Sequence, residues 1–255
     1  MTDPASGPRY WVVVPAAGSG RRMGAERPKQ YLDLVGRPVL AHTLERLAGH
    51  PGLSGIVVAV GPEDREFAAL PLDLPVPLRT AVGGAERADS VLAALDVLAA
   101  EAAAEDWVLV HDAARPCLRP ADVATLVHEL EGDPVGGLLG LPIHDTIKRA
   151  DAEGGVEATV DRTGLWRALT PQMFRLGLLR EALRGALEAG AAITDEASAV
   201  EWAGHRPRMV EGTADNLKIT RPADLFTAAD YLAQQAKETI DAHRPRLRRS
   251  PFRKR

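Results

Sequence analysis

Short apolar runs alternate with stretches of helical spacing along most of the chain. Trp11–Val14, Ile56–Val60 and Trp107–Val110 are continuous apolar runs, each long enough for a buried strand. Leu78–Val82 and Gly137–Leu141 read as further strands. Between them, Pro38–Ala48 places Val39, Leu40, Leu44 and Leu47 at helical spacing, and Asp89–Ala104 does the same with Val91, Leu92, Leu95 and Leu98. Helices are also expected over Pro120–Leu130, Leu176–Ala189, Asp195–Ala203 and Ala223–Ala242, with short strands at Arg208–Val210 and Leu217–Ile219. This rhythm predicts an α/β fold built on a doubly wound, mainly parallel sheet. It breaks once. Residues His144 to Ala168 are polar and glycine-containing, with short alternating runs at Asp145–Lys148 and Val156–Val160, the pattern of a protruding β-hairpin arm. Regular structure is expected to resume at Pro171–Phe174. One domain over residues 10–242 is predicted, with the arm at about 144–168, a disordered segment 1–9 before it and a disordered tail 243–255 after it.

Composition narrows the class. With 45% hydrophobic and 26% charged residues the chain is ordinary globular material, and no stretch reaches the roughly 20 apolar residues of a membrane span. MTDPASGPRY has neither the basic start nor the apolar core of a signal peptide. Cys117 is the only cysteine, which rules out an intrachain disulfide and cysteine-pair zinc sites and fits the cytoplasm. The last twelve residues, RPRLRRSPFRKR, hold seven basic side chains and no acid. Against a formal net charge of −4, the rest of the chain is therefore acidic, which argues against nucleic-acid binding by the folded part. A role for the tail in binding RNA or a partner stays open beside that of a solvated tail.

Candidate chemistry begins where the first strand stops. After Pro15 the chain reads AAGSGRRMGAERPKQ, with Gly18, Gly20 and Gly24 among Arg21, Arg22 and Lys29. Glycines let backbone N–H groups approach an anion, and clustered cations neutralise it, so a polyphosphate fits. The P-loop pattern fails because Arg21 follows Gly20, and the dinucleotide fingerprint fails because its third glycine comes one residue late. A glycine-rich turn with solvated charges is the plainer alternative. In open α/β sheets ligands bind beyond the C-terminal strand ends. That rule gathers Pro15–Gly24, the GGAERADS segment from Gly83, HDAARP from His111, and Asp215–Lys218 into one site. Gly83 and Gly84 would let a flat base lie against backbone, with Ser90 free to bond its edge, although Asp89 or Ser90 could equally cap the next helix. Asp112 follows four apolar strand residues and so calls for a cation or a substrate hydroxyl, an ion pair with Arg115 being the alternative. For Lys218 the alternative is an edge-strand lysine. His42, His50, His128, His205 and His243 lack partner spacing. Motifs for a serine, cysteine or metal-bound nucleophile are missing from the sequence. The set suits attack of a phosphate oxygen on a nucleotide α-phosphate, which needs alignment and countercharge but no protein nucleophile.

The segments PAAGSGRRMG with PKQYL, GGAERADSV, VLVHDAARP, DTIKR and VDRTGLW in the arm, LTPQMF, TDEASAVE and VEGTADNLKITRPAD run in order from about Tyr10 to Tyr231. In this the chain resembles the 2-C-methyl-D-erythritol 4-phosphate cytidylyltransferases of the non-mevalonate isoprenoid pathway. The resemblance implies a Rossmann-like three-layer nucleotidyltransferase domain with a hairpin arm. It further implies a homodimer of clasped arms, with CTP and 2-C-methyl-D-erythritol 4-phosphate as substrates and Mg²⁺ as cofactor. By matching motifs, Arg22 and Lys29 would stabilise the α-phosphate during transfer, and Arg162 and Lys218 would position the acceptor's phosphate. Asp112 would meet the acceptor's hydroxyls or lie close to the metal. Gly83, Gly84 and Ser90 would read cytosine, and Thr146, Thr170 and Thr194 would line the acceptor pocket. Pro15, Ala16, Ala17, Gly18, Gly20, Ala113 and Arg115 complete the expected substrate-binding set. Two alternatives stand: a ribitol-5-phosphate cytidylyltransferase, from which VDRTGLW separates it, and a catalytically dead nucleotide-binding protein, against which Arg22, Lys29 and Asp112 argue.

Overall fold

The computed structural model describes residues 8–18 and 27–243, of which Ala242 and His243 by backbone alone. In chain order the elements are β1 (Tyr10–Pro15), β2 (Asp33–Leu34), β3 (Arg37–Pro38), α1 (Val39–Ala48), β4 (Leu53–Val60), β5 (Leu78–Val82), α2 (Arg87–Leu98), β6 (Trp107–Val110), α3 (Pro120–Leu130), β7 (Gly136–Pro142), β8 (Ile147–Ala150), β9 (Val156–Val160), β10 (Trp166–Arg175), α4 (Leu176–Glu188), α5 (Glu196–Trp202), β11 (Arg208–Glu211) and α6 (Ala223–His243). Seven strands form one sheet in the order β11-β7-β10-β6-β1-β4-β5. All neighbours are parallel except β10, which runs antiparallel to both β6 and β7. The expected doubly wound, mainly parallel sheet is what the chain forms.

Strand periodicity explains the three layers. Alternate residues of β1 point to opposite faces: Val12 and Val14 pack with Leu40, Leu44, Leu126 and Leu130 of α1 and α3. Trp11 and Val13 pack with Val91, Leu95, Leu179, Leu183 and Val200 of α2, α4 and α5. Both faces of the sheet are covered, which is why the central strands read as unbroken apolar runs. A smaller cluster of Leu34, Val39, Cys117, Ile219, Ala228 and Leu232 seats α6 against this body. Among the described residues no helix is long and apolar enough to cross a membrane.

Several boundaries differ from the sequence-based expectation, β4 for instance starting at Leu53 rather than Ile56. The helix expected over Asp89–Ala104 starts earlier and stops at Leu98, because the Asp106 carboxylate accepts from the N–H of Ala103 and turns the chain back toward β6. Leu217–Ile219 is not a strand: it is tied to the sheet's end by a lone backbone bond, Ile219 N–H to the Ala114 carbonyl. The last sheet strand before α4 begins at Trp166, five residues before Pro171, with a register shift between Ala168 and Gln172 that the alternation hides. The first arm strand begins at Ile147 rather than Asp145. Of segment 1–9 only Pro8 and Arg9 are described, and Arg9 is held to Asp106 by backbone and guanidinium bonds of 3.0 and 3.1 Å. The basic residues 244–255 lie outside the described residues.

The arm consists of β8 and β9 paired only with each other, and no residue from 144 to 168 is buried. Its neck is closed by the Ile143 N–H bonding the Leu165 carbonyl at 3.0 Å.

Cys117 gives a test of the packing. It is fully buried, and burial pushes its thiol up to about 12. The native protein should therefore resist a disulfide-exchange reagent such as Ellman's at neutral pH and react fully once urea unfolds it. Rapid native labelling would show that α6 does not seal this cluster.

Candidate functional site

β1 sits between β4 and β6, so the connections leave it in opposite directions and open a crevice at the strands' C-terminal ends. The glycine segment leaves β1 there. Pro15 ends the strand, Ala16 donates to the Ala59 carbonyl at 2.7 Å, and the buried Gln30 side-chain amide reaches back to the carbonyls of Ala16 and Gly18 at 2.7 and 3.1 Å. Gln30 was missed because a glutamine in PKQ carries no chemical signal by itself. Gly20 and Arg22, with Arg21 and Gly24, lie outside the described residues. Lys29 donates to the Ile219 carbonyl at 3.1 Å, which brings it beside the segment that holds Lys218.

The second strand end meets the first by direct contact. A Cβ at Gly83 would lie 2.3 Å from the Ala17 Cβ and 2.9 Å from the Ser90 Oγ, so only glycine fits. At Gly84 the added carbon would fall 2.3 Å from the Asp89 Cβ. Asp89 accepts from the Glu86 N–H and so caps α2. Ser90 is less free than expected. Its oxygen accepts from the Gly84 N–H at 3.1 Å, and its proton goes to the Glu86 carbonyl at 3.1 Å. One lone pair remains, so Ser90 can only accept from a further group.

The third strand end carries the charge. Asp112 is 7% exposed. Its Oδ1 accepts from Arg87 Nε at 3.1 Å, while Oδ2 faces Arg115 Nε at 3.2 Å and Lys218 Nζ at 2.9 Å. Burial alone would raise this carboxyl, but the charges of Arg87, Lys218 and Arg115 outweigh it and hold it well below the usual carboxylate range. The ion-pair alternative weighed for Asp112 is thus present, extended from Arg115 to Arg87 and Lys218, and Lys218 is not an edge-strand lysine. Arg115 also donates to the Asn216 carbonyl at 2.8 Å. Arg87 continues to the fully buried Glu196 at the start of α5, with bonds of 2.6 and 3.0 Å. Arg87 and Glu196 stand 109 positions apart, so no local spacing could have paired them.

The threonines part company. Thr170 is buried, with its Oγ1 between the Asp112 N–H and His111 Nδ1 at 3.1 and 3.0 Å, so it underlies the site instead of lining it. His111 is fully enclosed, and burial pushes its imidazole down to about 4. Thr194 is exposed beside a cleft of about 380 Å³ between the starts of α2 and α5, which Arg87 and Glu196 also line. Thr146 and Arg162 are exposed on the arm, flanking its two strands and outside the seven-stranded sheet. Ala113 is buried, and its carbonyl accepts from Thr43 at 3.0 Å.

As to a metal, no three His, Cys, Asp or Glu side chains among the described residues converge on a point that could hold an ion. Both oxygens of Asp112 already face cations. The donor set fits Mg²⁺ only as the companion of a triphosphate, held by phosphate oxygens and water, and the described residues form no cage for it.

The cluster generates a prediction. Asp112→Asn leaves Arg115 and Lys218 crowded without their anion and Arg87 with Glu196 alone, and removing one partner of a buried pair is strongly destabilising. A loss of about 3 kcal/mol in urea unfolding is expected, toward the low end of that range because Arg87 and Lys218 reach solvent. A loss below about 0.5 kcal/mol would mean that the carboxylate is solvated.

Comparison with known proteins fits this geometry. Residues 10–234 match the family model for 2-C-methyl-D-erythritol 4-phosphate cytidylyltransferase. A protein of that name from Ectopseudomonas mendocina is 59% identical over 218 residues, which cover 85% of this chain and 93% of the relative. One from Pseudomonas aeruginosa is 57% identical over 220 residues, covering 86% and 94%. Among solved structures, a 4-diphosphocytidyl-2C-methyl-D-erythritol synthase superposes with a TM-score of 0.78 at 38% identity, covering 89% of this chain and all of that one. The cytidylyltransferase of Francisella tularensis superposes at 0.75 and 34% identity, covering 88% and 99%. A match across nearly the whole domain, in sequence and in sheet, makes this chain a member of the 2-C-methyl-D-erythritol 4-phosphate cytidylyltransferase family.

Proposed function

We infer that the chain transfers the cytidylyl group of CTP to 2-C-methyl-D-erythritol 4-phosphate, giving 4-diphosphocytidyl-2-C-methyl-D-erythritol and pyrophosphate in isoprenoid precursor synthesis. A phosphate oxygen of the acceptor attacks the α-phosphorus, the bond to the β-phosphate oxygen breaks, and pyrophosphate leaves with its electrons. The observation that carries this reading is the cation cluster around Asp112, set where glycine segments close on one another at the strand ends. Such a site aligns and neutralises anions, and the nucleophile needs no activation. Lys29, with Arg22 from the motif PAAGSGRRMG, meets the charge that develops at the α-phosphate. Lys218 and Arg162 hold the acceptor's phosphate. Gly83 and Gly84 take the base against backbone. Ser90, able only to accept, favours the 4-amino group of cytosine over the 4-oxo group of uracil. Mg²⁺, when bound with CTP, supplies countercharge to the triphosphate. The cytoplasm is the proposed compartment, where the lone Cys117 stays reduced.

The active unit is proposed to be a homodimer. An exposed two-stranded hairpin is marginal in water and gains from a partner surface, and two arms clasped about a two-fold axis would supply one.

Turnover of CTP with 2-C-methyl-D-erythritol 4-phosphate, and with ribitol 5-phosphate as rival acceptor, should release pyrophosphate with the former only. No turnover with either would leave a nucleotide-binding protein. Lys29→Ala should lower kcat on the order of 10²–10³-fold with little change in CTP binding. Mixing inactive Lys29→Ala and Arg162→Ala proteins should restore activity, because a heterodimer then holds one site with both lesions and one with neither. No recovery despite subunit exchange would assign Arg162 to its own chain's site.

A further inference from the structure

The buried His111 has no part in the steps above, yet both of its ring nitrogens are engaged. Its Nε2 lies 3.2 Å from the Arg115 carbonyl oxygen, which can only accept, so Nε2 carries the proton. Its Nδ1 lies 3.0 Å from Thr170 Oγ1, and that oxygen accepts from the Asp112 N–H at 3.1 Å. The amide N–H can only donate to that oxygen, and in the neutral ring with Nε2 protonated Nδ1 can only accept, so the hydroxyl proton points to Nδ1. Every direction in the chain is thereby set: Asp112 N–H to Thr170 O–H to His111 Nδ1, and His111 Nε2–H to the Arg115 carbonyl.

These bonds span a single turn. The Arg115 N–H closes it on the Asp112 carbonyl at 3.1 Å, Thr43 binds the Ala113 carbonyl, and Ile219 N–H binds the Ala114 carbonyl at 2.8 Å. Asn216 joins the far side by donating to the Thr170 carbonyl at 2.8 Å while accepting Arg115 on its own. The side chain presented by this turn is the Asp112 carboxylate, and Lys218 is aimed by it.

We propose that His111 is a positioning residue: through Thr170 it fixes the turn that directs the Asp112 carboxylate, and through that carboxylate it fixes Lys218. Thr170 belongs to the same device, its hydroxyl serving Asp112 rather than the acceptor. The proposal rests on the proposed function in one respect, that Lys218 holds the acceptor's phosphate. A displacement of about 1 Å in such a group is worth on the order of 10²-fold in rate.

The test compares His111→Phe, which fills the space without ring nitrogens, with His111→Asn, whose side-chain oxygen can accept near the place of Nδ1. His111→Phe should lower kcat/KM for the acceptor about 10- to 100-fold while the dissociation constant of CTP stays nearly constant. His111→Asn should recover much of the loss. Thr170→Val should add little to His111→Phe, because the chain of bonds is already cut, whereas independent roles would multiply. Unchanged acceptor kinetics in folded His111→Phe, or multiplying losses in the double variant, would overturn the proposal. If the variants do not fold, nitrogen NMR of the histidine-labelled wild-type protein at neutral pH decides: a protonated Nε2 with bare Nδ1 supports it, and the opposite tautomer or a doubly protonated ring overturns it. Failure of the functional reading is distinguishable, since it shows as absent turnover in the unmodified protein.

Discussion

Asp112 gathers three cations onto one buried carboxylate: its near neighbour Arg115, three residues on, and two from distant parts of the chain, Arg87 at the start of α2 and Lys218 beyond β11. Like charges at this distance would otherwise repel, and each guanidinium or ammonium group would remain in water. A carboxylate in a dry setting makes the cluster possible because the attraction is least screened there. The same setting makes the arrangement intolerant of loss, since Asp112 is the anion that all three share, and only Arg87 has a second, Glu196. Lys29, remote in sequence, is brought beside the Lys218 segment by its bond to the Ile219 carbonyl. Cations from four parts of the chain thus meet at one end of the sheet, as a site for anionic substrates needs.

The fold makes this convergence cheap in backbone terms. β6 ends at Val110, at the middle of the sheet, with β1 on one side and β10 on the other. Residues that follow β1, β5 and β6 reach one another without long excursions. The remaining contributors, Glu196 and Asn216, arrive from helical and irregular segments that pack over the same strand ends. Rigid strands set the turn positions, and side-chain bonds set the final aim.

Much of this was legible in the chain. Unbroken apolar runs identified β1, β4 and β6 because both faces of those strands are covered, and helical stripes located α1 and α2. Boundaries were lost where tertiary contacts overrule local pattern. Alanines after Leu98 suit a helix, yet Asp106 captures their backbone. Trp166–Ala168 looks like arm because its residues are at most half-buried, although it already pairs with β7. For the site, the glycines and Lys29, Asp112 and Lys218 announced themselves by type and by place at strand ends. Arg87, Gln172 and Glu196 did not. Gln172, for instance, bridges Asp195 and the Ala197 N–H across more than twenty positions, a pairing that only the folded chain reveals.

The closed neck of the arm sets what can happen to it over evolutionary time. Because Ile143 and Leu165 already meet, the ends of the excursion are a turn's length apart, and the entropy of closing it depends only weakly on how many residues lie beyond. Insertions, deletions or wholesale replacement between them leave the sheet's hydrogen bonding and both core layers intact. The arm is thus separable from the domain in its hydrogen bonding, whatever its surface does. A change of length within the arm therefore costs the domain little stability, even where it costs the role proposed for Arg162.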